Sequence, residues 1–453
     1  MLKVMYRNIF SQVLLFIGLS FAWSGAESQE VKSFSLKEAQ DYAVEYNYNV
    51  RNTRTDVEIA KKTVKENTAL GLPQIDASLS YNNNLKLRTT LLPGEIFGKP
   101  GEQIPVQFGN QHTANFGATL SQLLFSGQYI VGLMTAKAFV DLRSDNVIKS
   151  EIEIKNAIAK AYYPVIILQE NKKVFDSTLV TLKNMQKETE AFYKSGFLED
   201  TDVDQIDLMI SDIEATITNL DNRLNIARNW LKYQMGVNAN VEIVVTDRLE
   251  NILTEVNSEF LMNSSFDINN HIDYKLLKDQ EKLSGLKFRL QKTEYMPTLS
   301  AMYTYQQSAM RNEFNFFNFD KDWYETQVLG IQLQIPIFSS GNRHYKVQKA
   351  KLELDKLAVQ DMQLQQGLKL KVETAKSEFN NAYLIYLNKK KSVQQAKKIY
   401  RKTEIKYKSG MSSSLDLSQT YNQYLTSQIQ YLTSILDLLN KKADLEKILT
   451  KVE

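Results

Sequence analysis

Two long stretches of the chain repeat an apolar residue every three or four positions. The later stretch does so at Val372, Ala375, Phe379, Ala382, Tyr386, Val393, Ala396, Tyr400 and Tyr407. The earlier stretch does so at Ile158, Ala161, Val165, Leu168, Phe175, Leu179 and Leu182. A seven-residue period of this kind is typical of a coiled-coil seam. We therefore predict two helical elements, each about 100 Å long at 1.5 Å per residue, with a local kink at Pro164.

Four shorter stretches alternate apolar and polar residues, which predicts strands with one apolar and one polar face. These strands are expected at about residues 73–86 and 113–125, and again at about 297–308 and 324–338. In the first strand the apolar face carries Ile75, Ala77, Leu79 and Tyr81. Between the first two strands, residues 91–111 are rich in Gly and Pro and predict a loop.

The sequence Tyr-Lys-Ser-Gly occurs twice, ending at Gly196 and at Gly410. Each copy lies 69 positions after another glycine, Gly127 or Gly341, which follows a predicted strand. Because glycine reaches the positive φ that ends many helices, each copy is predicted to turn one long helix into an antiparallel partner. The simplest interpretation of the repeated sequence is a helical hairpin turn and nothing more.

The elements occur in the same order in both halves: helix, strand, loop, strand, long helix, turn, long helix. We predict a mainly α-helical protein with a small β part, long antiparallel helical hairpins and an internal two-fold repeat. The first repeat is expected to span 34–246, with long helices at about 128–235. The second is expected to span 247–453, with long helices at about 342–449.

The first residues of the chain predict export. Lys3 and Arg7 precede an apolar run that closes with small residues up to Ala26, which is typical of a secretory signal peptide over residues 1–26. The run is shorter than the roughly 20 apolar residues that span a bilayer. The chain has no Cys and a formal net charge of +3, which excludes a disulfide framework and does not favour nucleic acid as a partner.

Catalytic and metal-binding patterns are not found in the sequence. Asp200, Asp202 and Asp204 have the spacing that begins a calcium loop, but Gln205 and Ser211 stand where that loop needs Gly and Glu. The three histidines lack ligand spacing, and no nucleophile elbow, phosphate loop or His-Glu-x-x-His occurs. We therefore expect no enzyme activity, no cofactor and no metal site.

The alternating strands suit a transmembrane β-barrel, but four strands are too few to close one. Lipid cannot satisfy the free edges of an open sheet. Either several copies of the chain close a barrel together, or the strands do not lie in a membrane.

The order and spacing of these features resemble the outer-membrane efflux protein family, the TolC-like channel-tunnels. The resemblance is carried by SLKEAQDYAVEYNYNVRNTRTDVEIAKKTVKENTALGLPQ from Ser35, by LFSGQ from Leu124, by both Tyr-Lys-Ser-Gly turns and by the repeat. It implies a homotrimer with a 12-stranded transmembrane β-barrel in the outer membrane, continuing as an α-helical barrel into the periplasm. It also implies a passive exit duct for efflux or type I secretion, which works with a periplasmic adaptor (membrane fusion) protein and an inner-membrane transporter.

The resemblance also assigns roles to residues at the two turns. Those implied to meet the adaptor are Ser195, Gly196, Phe197, Leu198, Ser409, Gly410 and Met411. Those implied to form a periplasmic gate are Asp416, Gln419, Tyr407, Thr201 and Asp202. Asp416 matches a family aspartate that narrows the lumen as a ring of three, in which mutual repulsion would raise the pKa. Gln419 and Ser412 stand where the family has a second aspartate and an arginine, so we expect a weaker or different gate network.

Two alternatives stay open from the sequence. Asp416 could serve only to cap the start of a helix. The whole chain could be a periplasmic structural or adaptor protein built from helical hairpins, although such a protein needs no strands with a lipid-facing alternation.

Overall fold

The computed structural model describes residues 31–254, 256, 258–318 and 320–452. The predicted signal peptide, residues 1–26, lies outside these residues. The chain divides into two compact units. Among the described residues, the first contains 31–51, 150–266 and 370–450, and the second contains 52–149, 267–369 and 451–452.

The elements follow one another as β1 (Val31–Phe34), α1 (Leu36–Tyr46), α2 (Tyr48–Ala69), β2 (Gln74–Asn83), β3 (Thr89–Pro93), β4 (Gln103–Gln107), β5 (His112–Ser126), α3 (Gly127–Lys194), α4 (Asp200–Met235), β6 (Glu242–Val245), α5 (Leu249–Thr254), α6 (Ser258–Asn263), α7 (Ile272–Thr293), β7 (Thr298–Arg311), β8 (Tyr324–Gln334), α8 (Asn342–Lys408) and α9 (Ser414–Leu449). Helices α3 and α8 contain 68 and 67 residues. The predicted long helices are therefore present, and α3 continues as one helix through Pro164.

The second unit contains an antiparallel sheet with the strand order β2-β5-β7-β8. The register places Leu79 opposite Phe116, and Tyr303 opposite Leu329. Since residues directly opposite each other share a face of the sheet, the apolar positions of the four strands lie together on one side. Among the described residues, β2 and β8 each pair with one neighbour only, so the sheet has two free edges.

The connection between β2 and β5 is more ordered than its Gly and Pro content predicts. Strands β3 and β4 pair as a hairpin, and a short 3₁₀ turn, Gly94–Phe97, lies between them. At the other edge of the sheet β8 ends at Gln334, just before Pro336. Proline has no N–H to donate to a strand ladder, which explains why pairing stops there.

The first unit is held by two hydrophobic cores between its helices. One core includes Tyr162, Ile166, Phe379, Ile435 and Leu438. The other includes Phe175, Leu182, Ile206, Tyr400 and Tyr421. Every predicted seam position of α8 from Val372 to Tyr407 is buried, and the predicted seam of α3 is buried or partly buried. Burying a large apolar side chain contributes about 1.5–3 kcal/mol, so these seams hold the long helices together.

The sequence did not indicate the parallel pair formed by β1 and β6. Phe34, Ile243 and Val245 place this pair in the first core. The Tyr162 hydroxyl donates to the Phe34 carbonyl oxygen at 2.8 Å and lies 3.1 Å from a carboxylate oxygen of Asp247. Burial, followed by the charge of Asp247, raises the pKa of Tyr162, so the hydroxyl stays protonated and fixes β1 to α3.

Candidate functional site

The first Tyr-Lys-Ser-Gly segment ends α3 and turns the chain toward α4. Gly196 has φ of 78°, in the left-handed region that glycine adopts without strain. Its N–H donates to the Tyr193 carbonyl at 2.9 Å, and the Phe197 N–H donates to the Phe192 carbonyl at 3.0 Å. These two bonds form the Schellman motif, which satisfies carbonyl groups at a helix end.

The second segment forms the same motif at the end of α8. Gly410 has φ of 72°, and the equivalent bonds measure 3.0 Å from Gly410 and 2.8 Å from Met411. In both turns the serine hydroxyl donates to the carbonyl four residues earlier, at 2.9 Å for Ser195 and 2.6 Å for Ser409. The four-residue sequence therefore occurs twice because it specifies the same helix end twice.

Each turn leads into a capping box at the start of the next helix. Asp202 accepts the Glu199 N–H at 3.2 Å at the start of α4. Asp416 accepts the Ser413 N–H at 3.2 Å, and Ser413 Oγ accepts the Asp416 N–H at 3.1 Å at the start of α9. Asp202 and Asp416 thus hold equivalent positions, six residues after Gly196 and Gly410. The resemblance had implied a place in the gate for both residues without indicating that their positions are equivalent.

The surroundings of Asp416 within one chain are those of a helix cap. Its carboxylate accepts the Ser413 hydroxyl at 2.9 Å and the Ser412 hydroxyl at 3.1 Å. The bonds from Ser413, and then the bond from Ser412, lower the pKa of Asp416, the opposite direction to that expected for a ring of three. Gln419 is exposed on the same helix. The gate assignment of Asp416 and Gln419 stays a prediction.

Tyr407 is the most buried of the predicted gate residues. Its hydroxyl lies 3.1 Å from Thr189 Oγ1, which joins α8 to α3 inside the second core. Burial raises the pKa of Tyr407. Thr201 and Asp202, predicted to act with Tyr407, make their hydrogen bonds at the start of α4: the Thr201 N–H donates to Asp200 at 2.8 Å.

Sequence reasoning missed Thr189, although a signal was available. Thr-Glu precedes Tyr-Lys-Ser-Gly at the same distance in both copies, at Thr189 and at Thr403. The same spacing between threonine and tyrosine in both copies marks Thr189 as a residue that could share a contact with one of these tyrosines.

The residues predicted to meet an adaptor lie on the surface of the turns. Phe197 and Met411 are exposed apolar side chains, and Leu198 is half-buried. Ser195, Gly196, Ser409 and Gly410 are exposed as well. Two turns of the same geometry therefore each present one large apolar side chain to solvent.

Two histidines, His112 and His271, have hydrogen-bond partners that account for their positions. The His112 ring nitrogen lies 2.9 Å from the Tyr81 hydroxyl, and His271 accepts the Asp273 N–H at 3.2 Å at the start of α7. No group of three or more potential metal ligands occurs in the part of the chain that the structure describes. Nor does any helix in that part carry an apolar stretch long enough to cross a membrane.

Comparison with known proteins finds a family model that matches the C-terminal part of the chain. Residues 285–451 match the family described as outer membrane efflux protein. Comparison with curated protein sequences gives no match.

Solved structures of outer-membrane proteins share the fold. The outer membrane protein VceC from Vibrio cholerae is 13% identical with a TM-score of 0.66, and the alignment covers 92% of this chain and 96% of VceC. The CmeC outer membrane channel of Campylobacter jejuni is 16% identical with a TM-score of 0.66, covering 91% and 85%. The open state of the MtrE outer membrane channel of Neisseria gonorrhoeae is 17% identical with a TM-score of 0.68, covering 91% and 88%. The family match over residues 285–451 and the shared fold confirm the predicted resemblance to the outer membrane efflux protein family, and the chain has the TolC-like fold.

Proposed function

We propose that the protein is the passive outer-membrane exit duct of a tripartite efflux pump or a type I secretion system. Three copies contribute four strands each to a 12-stranded barrel in the outer membrane, and their long helices form an α-barrel in the periplasm. An inner-membrane transporter supplies the energy, and a periplasmic adaptor connects the transporter to the duct.

The sheet of the second unit carries this proposal. On its apolar face Ile75, Leu79, Leu329 and Ile331 are between 73% and 79% exposed. Large apolar side chains that share one face and lack a covering layer fit lipid better than water. The opposite face is polar and includes Ser78, Ser80, Thr119, Thr304, Ser300 and Gln332. Such a face suits the wall of a water-filled lumen.

The free edges of the sheet support the assembly of several copies. Strands β2 and β8 have unpaired N–H and C=O groups along their outer edges. In lipid each unpaired group costs several kcal/mol, because no water is available to replace the missing bond. Pairing β8 of one copy with β2 of the next satisfies both edges, and repeating this pairing closes a barrel.

The same sheet speaks against the alternative of a periplasmic structural or adaptor protein. Such a protein lies in water on all sides and gains nothing from a strand face of exposed Leu, Ile and Tyr. The solved structures with this fold include proteins described as outer membrane channels, CmeC and MtrE. The exit duct therefore accounts for the strands, whereas the adaptor accounts only for the helices.

We further propose that adaptor helices dock against the two turns, where Phe197 and Met411 are exposed. In this arrangement Asp416 and Gln419 surround the opening at the periplasmic end. Both the shared turn geometry and the shared capping boxes support this role, since they present two similar docking elements per chain.

A matched pair of variants on β8 tests the proposal. Leu329 lies on the apolar face, and its neighbour Val328 lies on the polar face opposite Thr304. A lysine on the lipid face of a barrel costs about 2–4 kcal/mol near the bilayer midplane. Leu329→Lys is therefore expected to reduce the amount of protein extracted by detergent from outer membranes, whereas Val328→Lys leaves it close to wild type. Equal effects of the two changes, or wild-type protein found in the soluble periplasmic fraction, would contradict the proposal.

A further inference from the structure

One contact at the end of the long helices joins two residues that occupy different places in the repeat. Thr189 Oγ1 of α3 lies 3.1 Å from the Tyr407 hydroxyl of α8, and both side chains are buried. The two turns are 214 positions apart. At that offset the counterpart of Thr189 is Thr403, and the counterpart of Tyr407 is Tyr193. The chain therefore carries a second threonine and a second tyrosine in the equivalent positions.

The second pair is not used within the chain. Tyr193 is 46% exposed and Thr403 is half-buried. Throughout residues 31–452 as described, neither side chain makes a hydrogen bond. A third pair of equivalent residues shows the same difference in burial. Ile399 is 46% exposed, whereas its counterpart Met185 is 1% exposed inside the second core. Helix α8 thus leaves Ile399 and Thr403 at least partly exposed, and α3 leaves Tyr193 exposed. The equivalent residues in the other copy of the sequence pattern are buried.

We propose that Thr403 of one copy hydrogen-bonds to Tyr193 of the next copy, with Ile399 packed beside this bond. The inference rests on the proposed function, because it requires copies arranged in a closed ring. In such a ring each surface of one copy meets a different surface of the next. The contact seen within the chain then recurs between copies. Neighbouring helical hairpins therefore meet through a threonine–tyrosine bond all around the ring of turns at the ends of α3 and α8, which we call the tip.

The two kinds of contact differ in charge. Within the chain, Lys408 Nζ lies 3.1 Å from a carboxylate oxygen of Glu188. At the same offset, Glu188 corresponds to Lys402 and Lys408 corresponds to Lys194. The contact between copies therefore places two lysines where the chain has an ion pair, although Glu190 lies 3.8 Å from Lys194 and offsets part of this charge. Like charges at close range repel, so the tip separates between copies and not between the hairpins of one chain.

Cysteine cross-linking tests the contact directly. The chain has no cysteine of its own, so Tyr193→Cys combined with Thr403→Cys adds the only thiols. A short reagent with two thiol-reactive groups is expected to convert the assembled protein into covalent dimers and trimers on a denaturing gel. The matched control, Thr189→Cys with Tyr407→Cys, is expected to link within one chain and to keep the mass of a monomer.

The outcomes separate this inference from the proposed function. The inference is overturned if both thiols are modified, the control pair links within its chain and no covalent oligomer forms, while native mass spectrometry still shows a trimer. A native mass near that of one chain, which is 52.1 kDa for the full sequence, would overturn the proposed function together with it.

A charge change tests the weaker contact between copies. Lys402→Glu places an acid opposite Lys194 of the next copy, and we expect about fivefold fewer channel openings in planar bilayers, the effect of one exposed ion pair. Lys398→Glu, one turn away on an exposed part of α8, is the control and is expected to leave the opening frequency unchanged. Equal opening frequencies for Lys402→Glu and the control would contradict the assignment of Lys402 to this contact.

Discussion

Removal of the Tyr407 hydroxyl is expected to loosen the end of the long helices. In Tyr407→Phe the ring keeps its packing in the second core, but Thr189 loses its partner. Thr189 is 1% exposed, so water does not replace the lost bond without local opening. The change therefore removes one hydrogen bond and leaves a buried hydroxyl unsatisfied.

The size of the effect follows from this burial. Leaving a buried hydroxyl without a partner costs about 1–3 kcal/mol. We expect the free energy of local opening at the ends of α3 and α8 to fall by this amount. Since about 1.4 kcal/mol corresponds to a factor of ten, amide exchange in these segments accelerates by roughly five- to 150-fold. Thr189→Val removes the other partner and is expected to have a similar effect.

Hydrogen exchange followed by mass spectrometry on the detergent-solubilised protein measures this change. Peptides that cover the ends of α3 and α8 report the tip, and peptides around Phe379 in the first core serve as the internal control. The double variant Tyr407→Phe with Thr189→Val removes both polar groups, so its effect is expected to be smaller than the sum of the two single effects. Unchanged exchange in Tyr407→Phe, or a double variant whose effect equals that sum, would show that the bond between Thr189 and Tyr407 does not hold these helix ends together.

Three further predictions concern the turns and the helical wall. Gly410→Ala places a side chain where φ is 72° but where no atom lies within 4 Å of the new Cβ, so backbone strain alone should weaken the turn by about 1–2 kcal/mol, seen as faster exchange there. Asp279 has its pKa raised to about 6 by burial and then by Asp145; because the folded state holds this proton more tightly than the unfolded chain, the contribution of Asp279 to thermal stability should be fully present below about pH 4 and be lost as the pH rises through about 6. Asp279→Asn should remove that loss in melting scans. If Asp416 only caps α9, Asp416→Ala should accelerate exchange in the first turn of α9 as Asp202→Ala does in α4, without changing conductance; an altered ion preference in Asp416→Ala alone would assign it to the gate.

The buried seams of the long helices could be predicted from the sequence because apolar residues that recur every three or four positions lie on one face of a helix. Positions from Val372 to Tyr407 were chosen by spacing alone, and all of them are buried. The strands could be predicted for a similar reason, since a period of two separates the two faces of a sheet. In both cases the information lies in neighbouring residues and does not depend on distant parts of the chain.

Features that depend on distant residues could not be predicted in this way. Strands β1 and β6 contain four residues each, too few to show a period, and Val31 pairs with Glu242, which is far away in the sequence. The partner of Tyr407 is 218 positions away, and only the packing of α3 against α8 selects it. The capping role shared by Asp202 and Asp416 required the geometry of both turns, since resemblance alone had assigned these residues to a gate.

Several copies of this chain are proposed to form a duct across the outer membrane. Single-channel recording of the purified protein in planar lipid bilayers is the direct test of this duct. We predict discrete and stable conductance steps from a protein whose native mass is that of three chains. A protein that is monomeric, stays in water without detergent and gives no conductance steps would rule out the outer-membrane duct.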